Sequence, residues 1–573
     1  MQFSRYKIAV AVAAAAAPAF VTSTRAPARS VPQCHVLPGD PGWPSTPAWD
    51  ALNATVGGRL IKTIPLAALC HDPQYDEVAC QELRDKWTLA TTHYESPSSV
   101  LTSYWGNASC DPWTNEQSSC MLGNYVSYAV DVGSAEDVVA TIKFARERNI
   151  RFLVRNTGHD FFGRSTGAGA IAAWTHHLKD ITKLDWRDET YQGPALKLGA
   201  GVQGIDALAA AKDEGLVVVA GYCNSVGLAG GWTQGTGHSP LSTQFGLGAD
   251  QTLEFDVVAA NGEIMKASRK ENSDLYWALS GGGPGTYGVV TSVTIRAYED
   301  LPVGGMGILL DPTNINTDKY WTALRKLYSI LPTVTDNGMH ITVAYNSTSF
   351  IISGVTAYNQ TSSAVTETMS PFLGVLDALQ IPYQSWLTDS PTYLEHASHY
   401  GDVREATLRW QAGDRLIPRR VLADPDSEAF DDLLAVLRGL YDGGVEAGVT
   451  VMAPRDRVGA DNAVHPAWRE AAVLFGMLHP WDGAPSAWDE MRAMQRRLTG
   501  MLPALERVTP GSAAYVNEGD PFQENWKEAF FGPNYDELLT IKDKYDPEGV
   551  FYARKTVGSD RWDVAEDGRM CRT

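Results

Sequence analysis

Two residues able to act as nucleophiles stand in glycine-rich segments of the chain. His159 lies in Arg155-Asn-Thr-Gly-His-Asp160, and Cys223 lies in Gly221-Tyr-Cys-Asn-Ser-Val-Gly-Leu-Ala-Gly-Gly231. Histidine offers a neutral nitrogen nucleophile near physiological pH, and cysteine offers a thiolate. The chain has 7 cysteines, and setting Cys223 aside leaves 7 − 1 = 6, a number that can pair into disulfides. Cys223 is therefore the cysteine left for chemistry.

Three glycine-rich segments, 155–169, 221–250 and 279–291, indicate that the backbone approaches a ligand closely. Glycine lets backbone amides converge on an anion, and so many glycines between apolar strands otherwise cost entropy without a packing gain. A long, flat cofactor that carries phosphate meets this description. A Walker lysine is absent, as is a Gly-x-Gly-x-x-Gly fingerprint between strand and helix, so a P-loop or Rossmann domain fits poorly. Standing alone, the first segment would be interpreted as a surface turn with an incidental histidine.

Strand and helix patterns lead into the first two glycine-rich loops. Residues 125–131 alternate like a strand, Ser134-Ala-Glu-Asp137 resembles a capping box before a helix, and 151–155 form a short apolar strand. A second unit has a helix over 206–214 and a buried strand over 216–220. Loops that follow strands in α/β units are where ligands bind. We therefore expect both loops at one ligand site.

The N-terminus is typical of a secretory leader, because Arg5 and Lys7 precede an apolar run, Ile8 to Val21, that is short for a bilayer span. A transmembrane anchor is the weaker alternative. Four glycosylation sequons agree with secretion, at Asn53, Asn107, Asn346 and Asn359. The sequence thus predicts an extracellular glycoprotein.

The other six cysteines fit disulfides in an oxidising compartment. Cys70 with Cys80 and Cys110 with Cys120 are close in sequence and predict two local bonds. Cys34 and Cys571 then remain for each other, although spacing alone leaves the connectivity open. A zinc site is the alternative, but there is no Cys-x-x-Cys and no matching histidine cluster, so we predict no metal.

Length and charge bound the class of protein. A chain of 573 residues is too long for one ordinary core, so two or more domains are expected. The formal net charge of −20 argues against a nucleic-acid or acidic-lipid partner. Beyond residue 298, strand candidates at 307–310, 340–344 and 350–355 flank an amphipathic helix at 318–331, which predicts a second, α+β domain.

Four motifs, in order, resemble the vanillyl-alcohol-oxidase (VAO) type of flavoprotein in its berberine-bridge-enzyme-like branch. They are the Gly-His-Asp loop, Tyr-Cys-x-x-Val-Gly, Gly-x-Gly-His-x-Pro-Leu and Gly-Gly-Gly-x-Gly-Thr-Tyr-Gly-Val-Val-Thr. Tyr515-Val-Asn517 and the stretch from Asp543 to Phe551 resemble the C-terminal segment of that branch. Among its members, the chain looks most like secreted fungal oxidases often labelled isoamyl alcohol oxidase.

The resemblance implies an α+β protein with a PCMH-type FAD-binding domain of two α/β subdomains and an α+β substrate domain, an antiparallel sheet covered by helices. The implied organisation is a leader (1–25), a lead-in packed on the FAD domain (26–122), the FAD-binding domain (123–300), the substrate-binding domain (301–510) and a berberine-bridge-like segment that returns to the FAD domain (511–573).

By the same resemblance the cofactor is FAD held by two covalent bonds. His159 would attach through its ring nitrogen to the 8α-methyl of the flavin, and Cys223 through its sulfur to C6. His238 is expected to pack against the ring or its phosphates. The other implied cofactor-binding residues are Arg155, Asn156, Thr157, Gly158, Asp160, Val226, Gly227, Gly230, Gly231, Gly235, Gly237, Leu241, Gly248, Val290 and Asn517.

The implied reaction is hydride transfer from a hydroxyl-bearing carbon to flavin N5, with a base that takes the hydroxyl proton and O2 reduced to hydrogen peroxide. In this family a small residue three positions after the cysteine leaves room for oxygen, and Val226 therefore implies an oxidase. For the base, Tyr515 matches a family segment near the flavin. Glu405 and Asp414 are weaker candidates, because such carboxylates are more often solvated charges.

Three hypotheses about the function stay open. The first is an oxidase of an alcohol or an oligosaccharide, whose aromatic stacking the 17 tryptophans allow. The second is an oxidative cyclase or dehydrogenase of secondary metabolism on the same scaffold. The third, from a different class, is a secreted flavin-binding protein without enzymatic activity.

Overall fold

The computed structural model describes residues 34–401, 410–455, 458–481 and 487–573. The predicted leader (1–25) and the candidate base Glu405 lie outside these residues. The described chain has mixed α and β structure, which confirms the predicted α+β class. Within it, no helix is both long enough and apolar enough to span a bilayer.

A four-stranded sheet in the order β1-β2-β4-β3 carries the first glycine-rich loop. β2 and β3 run parallel to β4, and the antiparallel strand β1 forms the edge. The Asp137 carboxylate accepts hydrogen bonds from the backbone of Gly133 and Ser134 and so caps a helix whose apolar face packs on this sheet. The elements are α1 (Thr46–Thr55), β1 (Leu60–Lys62), α2 (Glu77–Lys86), α3 (Ala90–Tyr94), β2 (Tyr128–Asp131), α4 (Ala135–Glu147), β3 (Phe152–Arg155) and β4 (Ile171–Trp174).

A five-stranded antiparallel sheet in the order β5-β6-β10-β8-β9 follows. Its elements, with the separate β7–β11 pair, are β5 (Ile181–Arg187), β6 (Gln192–Gly199), α5 (Gly204–Asp213), β7 (Leu216–Val217), α6 (Ser242–Phe245), β8 (Thr252–Val258), β9 (Ile264–Ser268), α7 (Ser273–Leu279), β10 (Val289–Arg296) and β11 (Tyr298–Glu299). The strand predicted over 216–220 is wrong in length. Among the described residues its partner is β11, which pairs with two residues, and the buried residues 218–220 continue outside a ladder.

A seven-stranded antiparallel sheet in the order β15-β12-β14-β13-β17-β18-β16 forms the second half of the chain. Its elements are β12 (Val303–Leu310), α8 (Thr317–Asp336), β13 (His340–Tyr345), β14 (Phe350–Tyr358), α9 (Ser362–Ala378), β15 (Gln384–Ser390), α10 (Tyr393–Tyr400), β16 (Trp410–Pro418), α11 (Arg419–Leu422), α12 (Glu428–Asp442), β17 (Glu446–Val451), β18 (Ala471–Pro480) and α13 (Trp488–Val508).

The two faces of this large sheet have different environments. On β17, Ala447, Val449 and Val451 pack in a core with the covering helices, whereas Gly448 and Thr450 face a cavity. This alternation is the period-2 pattern of a strand buried on one side. Helices therefore cover one face, and the other face is left for a site.

The C-terminal segment packs against the glycine-rich part of the chain. Its elements are α14 (Trp526–Phe530), α15 (Tyr535–Tyr545), β19 (Trp562–Val564) and β20 (Met570–Arg572). The buried Lys542 ammonium donates to the carbonyl oxygens of Thr286 and Phe551, at 2.7 and 2.8 Å, and pairs with Asp546. This network ties α15 to the third glycine-rich segment.

Three disulfides hold the described chain. They join Cys70 to Cys80, Cys110 to Cys120 and Cys34 to Cys571, which confirms the predicted pairings. The last of them links the beginning of the described chain to its end. Asp40 and Arg569 form a salt bridge of 2.7 Å between the same two segments.

Candidate functional site

A cavity of about 510 Å³ lies where the glycine-rich loops meet the open face of the seven-stranded sheet. The loops after β3 and β7 line one part of it, β13, β16, β17 and β18 of the large sheet line another, and the C-terminal segment contributes further lining residues. His159 and Cys223 both line this cavity. Residues separated by 223 − 159 = 64 positions thus share one site.

The loop after β3 presents His159. Gly158 has a positive φ of 84°, a conformation that favours glycine, and the turn follows immediately after the strand. Asp160 fixes the next turn, since its carboxylate accepts hydrogen bonds from the backbone amides of Phe162 and Ser165, at 2.9 and 2.8 Å. The imidazole is therefore held between two structured turns.

The loop that carries Cys223 is fixed by residues at the beginning of α5. The Gly204 amide donates to the Val226 carbonyl at 3.0 Å, and the Gln203 side chain donates to the Ser225 carbonyl at 2.8 Å. Cys223 is half-buried and takes part in none of the three disulfides. These contacts hold the thiol at the cavity wall.

Ser225 joins the two loops. Its hydroxyl lies 2.6 Å from Nε2 of His159, within hydrogen-bond distance. Ser225 is two residues from Cys223, so one side-chain contact brings the histidine loop and the cysteine loop together. This contact is the geometric basis for considering both residues as anchors of one bound molecule.

The cavity wall fits a polar, flat cofactor. The buried side-chain oxygens of Asn156 (Oδ1) and Gln234 (Oε1) line the wall and have no hydrogen-bond partner within the described parts of the chain. Buried polar groups are normally paired, so these two point to a bound donor. At Gly230 and Gly231 an added Cβ would find its nearest neighbours at 3.9 and 3.7 Å, which leaves the backbone open to a ligand. These features fit the FAD that the sequence motifs imply.

Most of the implied cofactor-binding residues line this cavity. Besides His159 and Cys223 they are Asn156, Thr157, Gly158, Asp160, Val226, Gly227, Gly230, Gly231, His238, Val290 and Asn517. His238 meets the Tyr515 ring edge-on at 5.2 Å, and its Nε2 lies 3.4 Å from a Glu518 oxygen. The Asn517 amide donates to the Gly231 carbonyl at 2.9 Å, so it ties the C-terminal segment to the glycine loop.

Arg155, one of the implied cofactor-binding residues, does not line the cavity. Its buried guanidinium donates to the carbonyl oxygens of His93 and Ser96, at 3.1 and 3.2 Å, and also to that of Ser99. Burial lowers the pKa of Arg155 to about 10. The arginine therefore anchors the lead-in segment to the end of β3.

Four other implied residues of the second glycine-rich segment pack against the protein and not against the cavity. An added Cβ at Gly235 would lie 2.3 Å from the Asn517 side chain, and one at Gly248 would lie 2.4 Å from Trp232. Gly237 has a φ of 72°, and Leu241 is buried in the core. None of the four lines the cavity, because each is packed closely against neighbouring residues of the protein.

Asp414 is the buried carboxyl in the wall of the cavity, which corrects its interpretation as a solvated charge. It lies on β16 and is 2% exposed. Oδ1 accepts a hydrogen bond from the Tyr515 amide at 2.8 Å, whereas Oδ2 is buried without a partner in the described chain. Burial raises the pKa of Asp414 well above its usual range, and the nearby carboxylates Glu518 and Asp520 raise it further. The positive charge of Arg415 lowers the pKa of Asp414 and so partly offsets this rise.

Tyr515 also lines the cavity, but its phenol is a poor base. It is fully buried, and the desolvation raises its pKa above the usual value, so the hydroxyl keeps its proton. Its oxygen accepts a hydrogen bond from Asn517 at 2.9 Å. Tyr515 is therefore suited to donate a hydrogen bond and to support Asn517.

Several wall residues are missing from the sequence-based set. They are Arg164, Tyr222, Gln234, Pro284, Trp410, Glu518 and Tyr552. Four of them lie inside the glycine-rich segments, and this position could have marked them as site residues: Arg164, Tyr222, Gln234 and Pro284. The others come from strands and loops that only the tertiary fold brings to the site.

Comparisons with known proteins identify two domain families along the chain. Residues 126–268 match the FAD binding domain family, and residues 514–558 match the berberine and berberine-like family. The chain is 43% identical over 552 residues to FAD-linked oxidoreductase ZEB1 of Gibberella zeae, covering 94% of this chain and 95% of the relative. It is 41% identical over 558 residues to bifunctional decalin synthase calF of Penicillium decumbens, covering 95% and 96%. The crystal structure of the VAO-type flavoprotein MtVAO615 from Myceliophthora thermophila superposes with a TM-score of 0.89 at 38% identity, covering 94% of this chain and 100% of that one.

Proposed function

Because the chain belongs to the family of VAO-type, FAD-linked oxidoreductases, we propose that it is a secreted oxidase that acts on a hydroxyl-bearing substrate and reduces O2 to hydrogen peroxide. An FAD-dependent oxidoreductase is the activity that the family establishes. When bound, FAD supplies a two-electron oxidant at the cavity. The oxidase chemistry, the covalent attachment and the base are our proposal.

The observation that carries the proposal is the contact of 2.6 Å between His159 and Ser225 at the cavity wall. It holds the imidazole beside the loop that carries Cys223, so both nucleophiles face one ligand. His159 would bond through a ring nitrogen to the 8α-methyl of the flavin, and Cys223 through its sulfur to C6. The amide oxygens of Asn156 and Gln234 would accept hydrogen bonds from the same molecule.

Asp414 is our choice for the base that takes the hydroxyl proton of the substrate. It lines the cavity from β16 of the seven-stranded sheet, and not from the loops that carry His159 and Cys223. Its raised pKa brings a carboxylate closer to the range in which general bases work best. The Tyr515 amide keeps Oδ1 in place and leaves Oδ2 for the proton.

Val226 supports O2 as the electron acceptor. It is half-buried in the cavity wall, three residues after Cys223. In the family a small residue at this position leaves oxygen a path to the flavin. A bulkier side chain here would close that path.

The wall that faces the substrate favours an alcohol with apolar surface. The residues contributed by β13, β16, β17 and β18 are mostly small or apolar: His340, Thr342, Trp410, Ala412, Gly413, Asp414, Gly448, Thr450, Leu474, Gly476 and Leu478. Asp414 and His340 are the ionisable groups among them. An oligosaccharide needs several polar partners, and this wall offers few. A hydrophobic or partly hydrophobic alcohol therefore suits it better.

A second candidate function is the oxidation or oxidative cyclisation of a secondary metabolite. The relative named bifunctional decalin synthase is 41% identical over nearly the whole chain, which supports this class. The apolar wall fits such a substrate equally well. A secreted flavin-binding protein without activity would make no use of a buried carboxyl in that wall.

The three disulfides support our proposal of an oxidising, extracellular environment. Among the four sequons, Asn359 has an exposed side chain, and we propose it as a site of glycosylation. Digestion with an N-glycosidase of protein secreted by a eukaryotic host would release a glycan from this position. An unmodified Asn359 peptide would contradict that assignment.

The activity is tested by anaerobic addition of alcohols, oligosaccharides and secondary-metabolite alcohols to the purified, yellow protein. A substrate is expected to bleach the flavin, and admission of air is expected to restore the colour with one peroxide per product. Product analysis separates a simple alcohol oxidase from a cyclase. A flavin that bleaches but stays reduced in air would remove the oxidase assignment and leave a dehydrogenase.

A further inference from the structure

Away from the cavity, three side chains that commonly bind metal ions meet where the lead-in segment packs on the first sheet. Glu95 directly follows α3, and His176 with His177 forms the turn after β4. One ligand atom from each lies within 4.8 Å of the others. The carboxylate and the histidine pair are 176 − 95 = 81 positions apart, so only the fold brings them together.

His176 is buried without adequate hydrogen bonding. Its side chain is 3% exposed, and Nδ1 has no hydrogen-bond partner in the ranges that the structure describes. Nε2 lies 3.6 Å from a Glu95 oxygen, which is longer than an ordinary hydrogen bond. A group bound at Nε2 would give this buried ring the partner that the distant Glu95 carboxylate alone does not supply. The gap between Nε2 and the carboxylate is the size that a shared ion would bridge.

His177 is prepared as a metal ligand by a second carboxylate. Its Nδ1 lies 2.7 Å from Oδ1 of Asp131 on β2. A carboxylate that accepts the proton of one imidazole nitrogen fixes the ring, makes the other nitrogen more basic and leaves it for the metal. Trp174 holds both rings, since it stacks on His176 at 5.8 Å and meets His177 edge-on at 4.6 Å.

We propose that Glu95, His176 and His177 form a binding site for a divalent transition-metal ion of the Zn²⁺ type, with water as a fourth ligand. Zn²⁺ with bonds near 2.0–2.1 Å needs ligand atoms about 3.4 Å apart in a tetrahedron. The Glu95 side chain is 62% exposed and can close the remaining distance. Two imidazole ligands select Zn²⁺, Ni²⁺ or Cu²⁺ over Mg²⁺ and Ca²⁺. Glu95 and Asp131 together balance the two positive charges.

The position of this site gives it a structural role. It links the chain after α3 to the end of β4, two segments that no disulfide joins within the described residues. Thr175, next to His176, lines the large cavity, and the Trp174 indole donates to the Asn156 carbonyl at 3.2 Å. Metal binding would therefore brace the start of the loop that carries His159. This proposal departs from the sequence-based expectation of no metal, which rested on the absence of a Cys-x-x-Cys and of a matching histidine cluster in the sequence.

The experiment uses the flavin-containing protein, stripped with a chelator and titrated with Zn²⁺ in a calorimeter, with metal content measured after dialysis. We expect one tightly bound Zn²⁺ per chain and a rise in the thermal midpoint on binding. Mg²⁺ and Ca²⁺ are expected to bind at least about 100-fold more weakly. No Zn²⁺ equivalent in the wild-type protein would overturn the proposal.

Three variants separate this site from general surface binding. His177→Ala and Glu95→Gln are expected to weaken Zn²⁺ binding by more than about 100-fold, and Asp131→Asn, which keeps all three ligands, by about 10–100-fold. His479→Ala removes a half-buried histidine outside the cluster and is the control that should bind like the wild type. Equal Zn²⁺ affinity in His177→Ala and in His479→Ala would refute the assignment. Glu95 is exposed, so Glu95→Gln decides the question even if the His177 variant folds poorly.

Discussion

Replacing Asp414 by asparagine separates the proposed chemistry from the stability of the fold. In the wild type, Oδ1 accepts a hydrogen bond from the Tyr515 amide at 2.8 Å, and an asparagine oxygen can accept the same bond. The new amide nitrogen takes the place of Oδ2, which has no partner in the described chain. Asparagine has nearly the size and shape of aspartic acid, and burial already disfavours the charged carboxylate, as the raised pKa of Asp414 indicates. We expect the free energy of unfolding to fall by less than about 2 kcal/mol.

The expected effect on the rate is much larger. A positioned general base contributes roughly 10²- to 10⁴-fold, and at about 1.36 kcal/mol for each factor of ten its loss raises the barrier by about 2.7–5.4 kcal/mol. The wild-type rate should also depend on pH. Below its raised pKa the Asp414 carboxyl holds a proton and cannot accept another, so the rate of flavin reduction should rise as the pH increases through that pKa. The asparagine variant should lack this acid limb.

The assay is anaerobic stopped-flow absorbance of the flavin over a range of pH, with any substrate that bleaches the wild-type protein. Asp520→Asn is a matched control, because Asp520 is equally buried, has a raised pKa and has an Oδ2 without a partner in the described residues, but lies outside the cavity wall. It should retain the wild-type rate, with the acid limb moved to lower pH, since Asp520 raises the pKa of Asp414. A reduction rate within about threefold of wild type in Asp414→Asn, with the acid limb unchanged, would refute Asp414 as the base.

Two further substitutions test the oxygen path and the packing of the cysteine loop. Val226→Leu narrows the cavity wall and is expected to slow reoxidation of the reduced flavin by O2 about tenfold, equivalent to about 1.4 kcal/mol, without a comparable effect on flavin reduction. Oxygen-mixing stopped flow measures both steps, and an unchanged reoxidation rate would contradict the role of Val226. Gly227→Ala would place a Cβ 2.2 Å from Nδ2 of Asn156, and we expect a loss of about 1–3 kcal/mol in the free energy of unfolding. Gly374→Ala, in helix α9 with no atom within 4 Å of the new methyl, should leave stability unchanged or raise it by about 0.4–1 kcal/mol in the same chemical denaturation assay. Equal losses in the two glycine variants would argue against close packing at Asn156.

Local patterns in the sequence were sufficient for elements whose form depends on near neighbours. The capping box before α4 and the apolar face of that helix lie within one stretch of chain, and both are present in the structure. The predicted strand over 216–220 is shorter, because its length depends on β11, which is more than 75 residues away. Strand length is set by the partner as well as by the sequence of the strand itself.

The chemistry of the site was predictable only in part, for the same reason. Glycine motifs marked the loops of His159 and Cys223, since the motif and the residue are adjacent. The burial of Asp414 results from packing against Tyr515, which is 515 − 414 = 101 positions later. Arg155 turns to carbonyl oxygens of the lead-in segment, a contact across about 60 residues that its own motif does not encode. Such long-range contacts determine whether a charged side chain contacts a ligand or stabilises the folded chain.

The central claim, that His159 and Cys223 hold one flavin by two bonds, is tested most directly by the mass of the intact, denatured protein. We expect a yellow polypeptide heavier than the mature chain by one FAD, after allowance for glycans. His159→Ala and Cys223→Ala should each retain the added mass through the remaining bond, and the double variant should lose it. A wild-type chain without the added FAD mass, or a single variant that releases all of its flavin on denaturation, would contradict the account.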